Sequence, residues 1–264
     1  MSIHPAAIVH PGARIAPGVE IAPHASIGGN VSIASGTVIG NGVFIDGRTN
    51  IGEGNKIFPG AVIGTEPQDL KYQGEETSLE IGNNNTIREY VTINRGTVGG
   101  GGKTTIGSDC LLMAYTHIAH DCHIGDRVVM SNLATLGGHI TIQDGVWIGG
   151  LVGIHHFVTL GRLAFIGGYS KVVKDVPPFM LADGQPAAVK GLNVVGLRRE
   201  NFSKEQLASI KKAYQILYRS QLNTSRAMEK IEREIKMTEE VSFLLEFIKR
   251  TARGKMGRAG EVRT

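Results

Sequence analysis

The sequence predicts a mainly β fold: a parallel β-helix of triangular cross-section, followed by a small α-helical domain. Three observations carry that prediction. An aliphatic residue recurs at every sixth position through the first two-thirds of the chain, glycine often stands one residue after it, and beyond residue 200 the apolar spacing becomes helical. A helix needs a period near 3.6 and a half-buried strand a period of 2. A period of six fits a short strand with alternating inward residues and then a tight corner, three to a turn. Such coils are stable only stacked, each burying the face of the next.

The first run of anchors is Ile3, Val9, Ile15, Ile21, Ile27, Ile33, Ile39, Ile45, Ile51, Ile57 and Ile63. Two residues before these anchors stand mostly small or β-branched residues (Ala7, Ala13, Val19, Ala25, Val31, Thr37, Val43). The following glycines (Gly28, Gly40, Gly52, Gly64, Gly82, Gly107, Gly125, Gly149) read as corner residues, where positive φ is needed and a Cβ would clash. A polar insertion, TEPQDLKYQGEETS at 65–78, then replaces two hexads and carries Asp69 and Lys71. The register resumes at Ile81, Ile87 and Ile93. A second insertion, NRGTVGGGGK at 94–103, contains four consecutive glycines and reads as a flexible loop. Anchors return from Ile106 through Ile118, Leu136 and Ile154 to Val172. About nine coils at about 4.8 Å each would make a prism on the order of 45 Å long.

The repeat ends at DVPPF (175–179), where two prolines are expected to stop strand pairing. A short irregular segment follows. Ser203 and Gln206 form a capping box opening a helix whose apolar face is Leu207, Ile210, Tyr214, Leu217 and Tyr218. Two more helices are expected near 224–237 and 239–252. The division is therefore a β-helix over 1–190 and a helical domain over 191–264. The basic tail from Lys249 to Arg263 reads as a solvated end.

Cys110 and Cys122 each fall two residues before an anchor, on different faces of the prism. They are expected to be apolar core fillers, forming neither a disulfide nor a thiol nucleophile. No basic-then-apolar leader opens the chain, and no apolar run approaches the roughly 20 residues needed to span a bilayer. A cytoplasmic protein without stable membrane insertion is expected. The net charge of +4 permits an acidic partner, and nucleic acid is not expected without aromatic residues interleaved among the basic ones.

The repeat is also a coordinate system, because residues 18 apart sit on successive coils. Counting two past Ile118, Leu136 and Ile154 gives His120, Gly138 and His156, a row along one edge. With His117, His139 and His155, five of nine histidines crowd three adjacent coils at that corner. Two chemistries could use them. Histidine is the commonest transition-metal ligand, and the gamma-class carbonic anhydrases carry zinc on such a prism. Their second and third ligands come as His-x4-His, however, and no two histidines here are five residues apart. No metal is therefore expected. The alternative is general-base catalysis: a neutral imidazole takes a proton from a sugar hydroxyl attacking an acyl carbonyl, and the Gly138 N–H stabilises the oxyanion. A purely structural β-helix would explain neither the insertions nor the histidine edge.

QDLKY (68–72), IREYVTINRGT (87–97), HIAHDC (117–122), the GGH at 137–139, DVPPF and GLNVVGLRR (191–199) resemble the UDP-N-acetylglucosamine O-acyltransferase family of hexapeptide-repeat enzymes. The likeness runs from the N-terminus into the C-terminal helices. The N-acyltransferases of the same pathway carry an added N-terminal uridine-binding domain, whereas hexads start here at residue 3.

The resemblance implies a left-handed helix and transfer of a 3-hydroxyacyl chain from acyl carrier protein to UDP-N-acetylglucosamine, the first step of lipid A biosynthesis. It makes His120 the general base, Asp121 its orienting carboxylate and Gly138 the oxyanion donor. Asp69, His117 and His139 match positions that hold sugar or diphosphate, and Lys71 a substrate-binding lysine. Asn193 and Arg199 match the nucleotide end, and Gly168 the position that limits acyl length, where glycine implies a long chain. It also implies a homotrimer, with no cofactor beyond the donor's phosphopantetheine thioester. Three positions depart from the family pattern: His156, which keeps a hydrogen-bonding group and is expected to bind substrate, stands for an expected glutamine, Val195 for glutamate and Glu200 for arginine. They leave open a related acceptor with a 3-amino group.

Overall fold

The structure, a computed structural model, describes residues 2–261. Three parallel sheets form the sides of a prism. The first face runs from Ser2–Ile3 to the strand Ala187–Leu192, the second from Ile8–Val9 to Lys171–Val172, and the third from Arg14–Ile15 to Thr159–Leu160. The second face has nine strands, one per coil, matching the nine expected. Partners are 18 residues apart in regular coils, as in Ile3↔Ile21 and Ile118↔Leu136. Across the insertions the offsets lengthen, as in Ile63↔Ile93 and Ile93↔Ile118. The anchors fill the interior: Ile39, Ile63, Ile93 and Ile118 are fully buried. Each contributes roughly 1.5–3 kcal/mol relative to exposure, which is why the period survives both insertions.

The corner chemistry differs from the expectation. Most glycines that follow an anchor do not have positive φ; Gly64 is the exception. A Cβ on Gly40 would lie 2.8 Å from the Ile57 carbonyl oxygen, and one on Gly107 2.6 Å from the Gly125 backbone. Close approach of the next coil, and not backbone strain, selects them. The left-handed corner positions are held largely by ordinary residues, among them Tyr115, Asp121, Leu133 and His139. Asn55 and Asn85, larger than the small residues expected before an anchor, also have a use. Asn55 Oδ1 accepts from Asn85 N–H (2.9 Å), and Asn85 Oδ1 from Cys110 N–H (2.8 Å), bridging coils.

The two prolines at 177–178 do not end the first face. Phe165 pairs in parallel with Leu181, and Met180–Gly184 turns back as an antiparallel hairpin with Ala187–Leu192. The expected domain boundary at 190/191 therefore falls inside a strand, and helices begin only after residue 193. Four follow: α1 (Val194–Arg199), in the segment expected to be irregular, then α2 (Lys204–Arg219), α3 (Thr224–Glu234) and α4 (Glu239–Arg253). The capping box at Ser203 and Gln206 is present. Phe179 is fully buried between Phe202 and Phe243, with ring centroids 5.8 and 6.3 Å away, locking the helices onto the end of the prism.

The tail is tied down and not simply solvated. Asp175 accepts from Thr159 N–H (2.7 Å), the Thr251 hydroxyl (2.9 Å) and Ala259 N–H (2.7 Å). Arg258 is 9% exposed; Arg263 lies outside the described residues. Asp175→Ala would leave two backbone donors unpaired in a mostly buried site, at about 1–3 kcal/mol each. The expected result is a lower urea midpoint with faster tryptic cleavage at Arg258, read by denaturation and limited proteolysis.

Candidate active site

Both insertions leave the prism at one corner, between the second and third faces. The first joins Val62–Thr65 to Ser78–Ile81, and the second joins Thr92–Asn94 to Lys103–Ile106. His120 and Asp121 occupy the next turn of that corner, and His139 the turn beyond. The loops are stitched together, with Arg95 donating to the Tyr72 hydroxyl (2.7 Å) and Asn94 to the Glu66 carbonyl (2.8 Å). The glycine run is not a free linker. It forms a 3-10 turn, Val98–Gly100, capped by Thr97, that seats on Asp121. A Cβ on Gly100 would collide with the Asp121 carboxylate.

Asp121 is 1% exposed. It accepts from Thr97 N–H (2.8 Å), the Thr97 hydroxyl (2.6 Å) and His120 Nδ1 (2.7 Å), and its own N–H donates to the Thr104 hydroxyl (2.8 Å). Burial works against its charge, but the hydrogen bonds from His120 and Thr97 outweigh it and hold the carboxyl below its usual range. A carboxylate can only accept, so His120 carries its neutral-state proton on Nδ1 and presents the Nε2 lone pair. That ring lies against Gly138, where a Cβ would stand 2.5 Å from Cε1 and 2.8 Å from Nε2. The column expected from the period is thus present: the His120 ring lies against the Gly138 backbone of the next coil.

Burial disfavours the charged form of the neighbouring histidines. His139 packs edge-on to His120 (centroids 5.1 Å) and stacks on Phe157 (4.6 Å). Its pKa is lowered mainly by burial, with Asp121 opposing. His117 meets the Thr92 hydroxyl at 2.7 Å, and burial and His120 lower its pKa. Asp69, on the first loop, acts electrostatically on both His139 and His156. His120, Asp121 and His139 offer ligand atoms within 4.8 Å of one another. Asp121, however, already accepts three hydrogen bonds, which suits an orienting carboxylate better than a metal ligand. Cys110 and Cys122 are buried free thiols, pushed up by burial to about 11 and about 12, so neither is a nucleophile near neutral pH.

Three other expected site residues, Gly168, Asn193 and Arg199, are not brought to this corner. Lys71 is exposed on the first loop, its N–H donating to Asp69 Oδ1 (3.0 Å). Gly168 is exposed at a different corner, after the strand Phe165–Ile166 of the first face. Asn193 and Arg199 line a cavity of about 600 Å³ on the first face with Trp147, Phe165 and Leu181. Asn193 is largely committed within the fold: its Oδ1 caps α1 by accepting from Gly196 N–H (3.0 Å), and its Nδ2 donates to the Leu163 carbonyl (2.9 Å). Thr97, Thr104 and Phe157 were not singled out from the sequence. Thr97 sits inside IREYVTINRGT, but nothing in its spacing signals that it meets Asp121.

The hexapeptide model of bacterial transferases matches residues 103–138, and the model of the second domain of UDP-N-acetylglucosamine O-acyltransferase matches residues 175–256. A relative from an Anaeromyxobacter strain, named as the acyl-[acyl-carrier-protein]–UDP-N-acetylglucosamine O-acyltransferase, is 52% identical over 96% of this chain and 99% of its own. One from a Synechocystis strain, with the same name, is 58% identical over 88% and 84%. Among solved structures, the Bacteroides fragilis UDP-N-acetylglucosamine acyltransferase superposes with a TM-score of 0.91 at 44% identity, covering 93% of this chain and 96% of that one. The corresponding Acinetobacter baumannii protein gives 0.90 at 41%, covering 99% of each. These matches make the prism a left-handed β-helix with a C-terminal helical region, and they extend through the histidine corner, both loops and the helices: the chain belongs to the UDP-N-acetylglucosamine O-acyltransferase family.

Proposed function

We propose that the protein transfers a 3-hydroxyacyl chain from the thioester of acyl carrier protein to the 3-hydroxyl of UDP-N-acetylglucosamine, the first step of lipid A biosynthesis. The observation that carries the reading is the His120–Asp121 contact at 2.7 Å, which ties up Nδ1 and leaves Nε2 beside the Gly138 backbone. His120 Nε2 removes the hydroxyl proton as the oxygen attacks the thioester carbonyl. The Gly138 N–H exchanges its His156 Nδ1 partner (2.8 Å) for the developing oxyanion. When the carbon–sulfur bond breaks, the imidazolium returns its proton to the departing thiolate, so charge and protons balance. No acyl-enzyme is needed, and neither cysteine could form one. The histidine corner and Asp69 would hold the sugar and diphosphate, with Lys71 approaching from the loop, and the first-face cavity with Arg199 would take the nucleotide.

Those sets lie on different sides of one prism, so a complete site requires a second copy. An exposed apolar column beside Gly168, formed by Tyr90, Tyr115, Leu133, Leu151 and Tyr169, supports self-association. Three copies is the number the family resemblance implies. No helix among the described residues is long and apolar enough to cross a membrane, and a cytoplasmic location remains part of this proposal.

A panel crossing acyl carrier protein donors of graded length with 3-hydroxy and 3-amino UDP-sugars tests the reading. Transfer to UDP-N-acetylglucosamine is expected; no transfer to any UDP-sugar, or stoichiometric zinc by elemental analysis, would overturn it. A long donor is also expected. At Gly168 a Cβ would meet only the Gly150 carbonyl oxygen at 3.3 Å and nitrogen at 3.9 Å, so a larger side chain can project from the corner. Gly168→Met should shift the long-to-short donor ratio by about tenfold or more, since single methylenes are worth about 10–200-fold in an apolar pocket. An unchanged profile would remove Gly168 from the acyl channel.

A further inference from the structure

The Gly138 N–H belongs to the peptide that joins Gly137 to Gly138. A trans peptide is planar and points its C=O and N–H to opposite sides, so whatever holds the Gly137 carbonyl also aims the Gly138 N–H. That carbonyl accepts from the Cys122 thiol, with Sγ 3.2 Å from the oxygen. The other end of the peptide meets His156 Nδ1 and leaves it when the oxyanion forms. Glycine on both sides gives this peptide unusual freedom to rotate, because neither flanking residue has a Cβ to restrict it. Among the described residues no other donor reaches the Gly137 oxygen. The thiol is therefore the protein bond that this peptide keeps throughout the reaction.

We propose that Cys122 is a positioning residue of the acyl-transfer site: its thiol grips the Gly137 carbonyl from inside the prism and so aims the Gly138 N–H at the oxyanion. Cys122 is fully buried, and burial pushes its thiol up to about 12, outweighing the Ile140 backbone contact that favours the thiolate. It thus keeps its proton, and with it the donor, at any working pH. A hydrogen bond at the carbonyl end also polarises the N–H end of the same amide. The same tie recurs at the corner between the third and first faces. There the Thr37 hydroxyl donates to the Gly52 carbonyl (2.9 Å), and the Asn55 and Asn85 amides to those of Gly82 and Gly107 (2.9 Å each). The Cys110 thiol donates to the Gly125 carbonyl (3.3 Å). Those bonds join one coil to the next, away from the histidines. At Cys122 the tie falls on the peptide whose N–H lies beside the base.

The inference rests on the acyl-transfer reading, and the two can fail separately. Cys122→Ala should lose about threefold to tenfold in kcat at unchanged KM for UDP-N-acetylglucosamine, because a donor held slightly off line stabilises the oxyanion less. Alanine already stands two residues before the anchor in other coils, as at Ala25, Ala61, Ala134 and Ala164, so the prism accepts it. Cys122→Ser should keep kcat within about twofold, since a hydroxyl is a donor too and Thr37 makes this bond with one. Cys110→Ala removes the equivalent tie far from the histidines and should lower the melting temperature comparably while leaving kcat unchanged. Wild-type kcat in Cys122→Ala, or an equal loss in Cys110→Ala, would overturn the proposal. So would a Cys122→Ser that melts like wild type yet turns over as slowly as the alanine variant. Independently of turnover, amide hydrogen exchange across Gly137, Gly138 and His139 should quicken in Cys122→Ala and not in Cys122→Ser. Unchanged exchange would overturn the grip on the peptide even in an active enzyme. Quickened exchange beside a wild type that transfers no acyl group would instead remove the functional reading.

Discussion

His120→Ala is expected to lower kcat by about 10²–10⁴-fold, the range of a positioned general base. The structure explains why the loss should be chemical and not structural. His120 is buried at a corner, outside the aliphatic column, and its backbone carbonyl keeps accepting from His139 N–H (3.1 Å). Asp121 keeps both Thr97 donors. The fold and the affinity for UDP-N-acetylglucosamine should therefore persist, and steady-state kinetics beside calorimetric titration measures both. Residual kcat within tenfold of wild type would sink the base assignment.

Gly138→Ala should cost about 10²–10³-fold in kcat, for a different reason. The residue does not need glycine for its backbone angles, since its φ is not positive. Alanine is excluded by the His120 ring, whose Cε1, Nε2 and Nδ1 would lie 2.5, 2.8 and 3.0 Å from the new methyl group. Nδ1 is held by Asp121, so relief requires the base to leave its bond or the coil to open. A misplacement of about 1 Å at a reacting group can cost 10²-fold, and moving the amide weakens oxyanion stabilisation besides. Thermal melting separates this from unfolding. An unchanged melt with collapsed kcat is expected, and full activity would show that the ring has room it lacks in this structure.

Much of this was legible before the fold was known, because the repeat converts sequence distance into position. The 18-residue coil put His120, Gly138 and His156 in one column, and the capping box at Ser203 was local enough to read directly. What failed was whatever depended on contact between distant segments. The glycines after the anchors suggest positive φ by sequence, whereas close approach of the next coil, backbone and side chains together, is what excludes a Cβ. By composition the run at 99–102 is a flexible loop, because nothing in it reveals the carboxylate that Gly100 and Thr97 approach. The prolines at 177–178 predict an end to strand pairing, yet Met180–Gly184 rejoins the first face.

The sequence by itself determined the architecture, the coil count and the histidine edge, since each follows from a strict period that only stacking can satisfy. The tertiary structure decided the chemistry along that edge. It placed both insertions at the corner that carries the histidines, gave Asp121 donors from one of them, and set the hydrogen-bond partners of His120 and Gly138. Protonation states are set by partners a few ångströms away in space, and those partners here lie 18 or more residues apart or on an inserted loop. It also put Gly168, Asn193 and Arg199 on other sides of the prism.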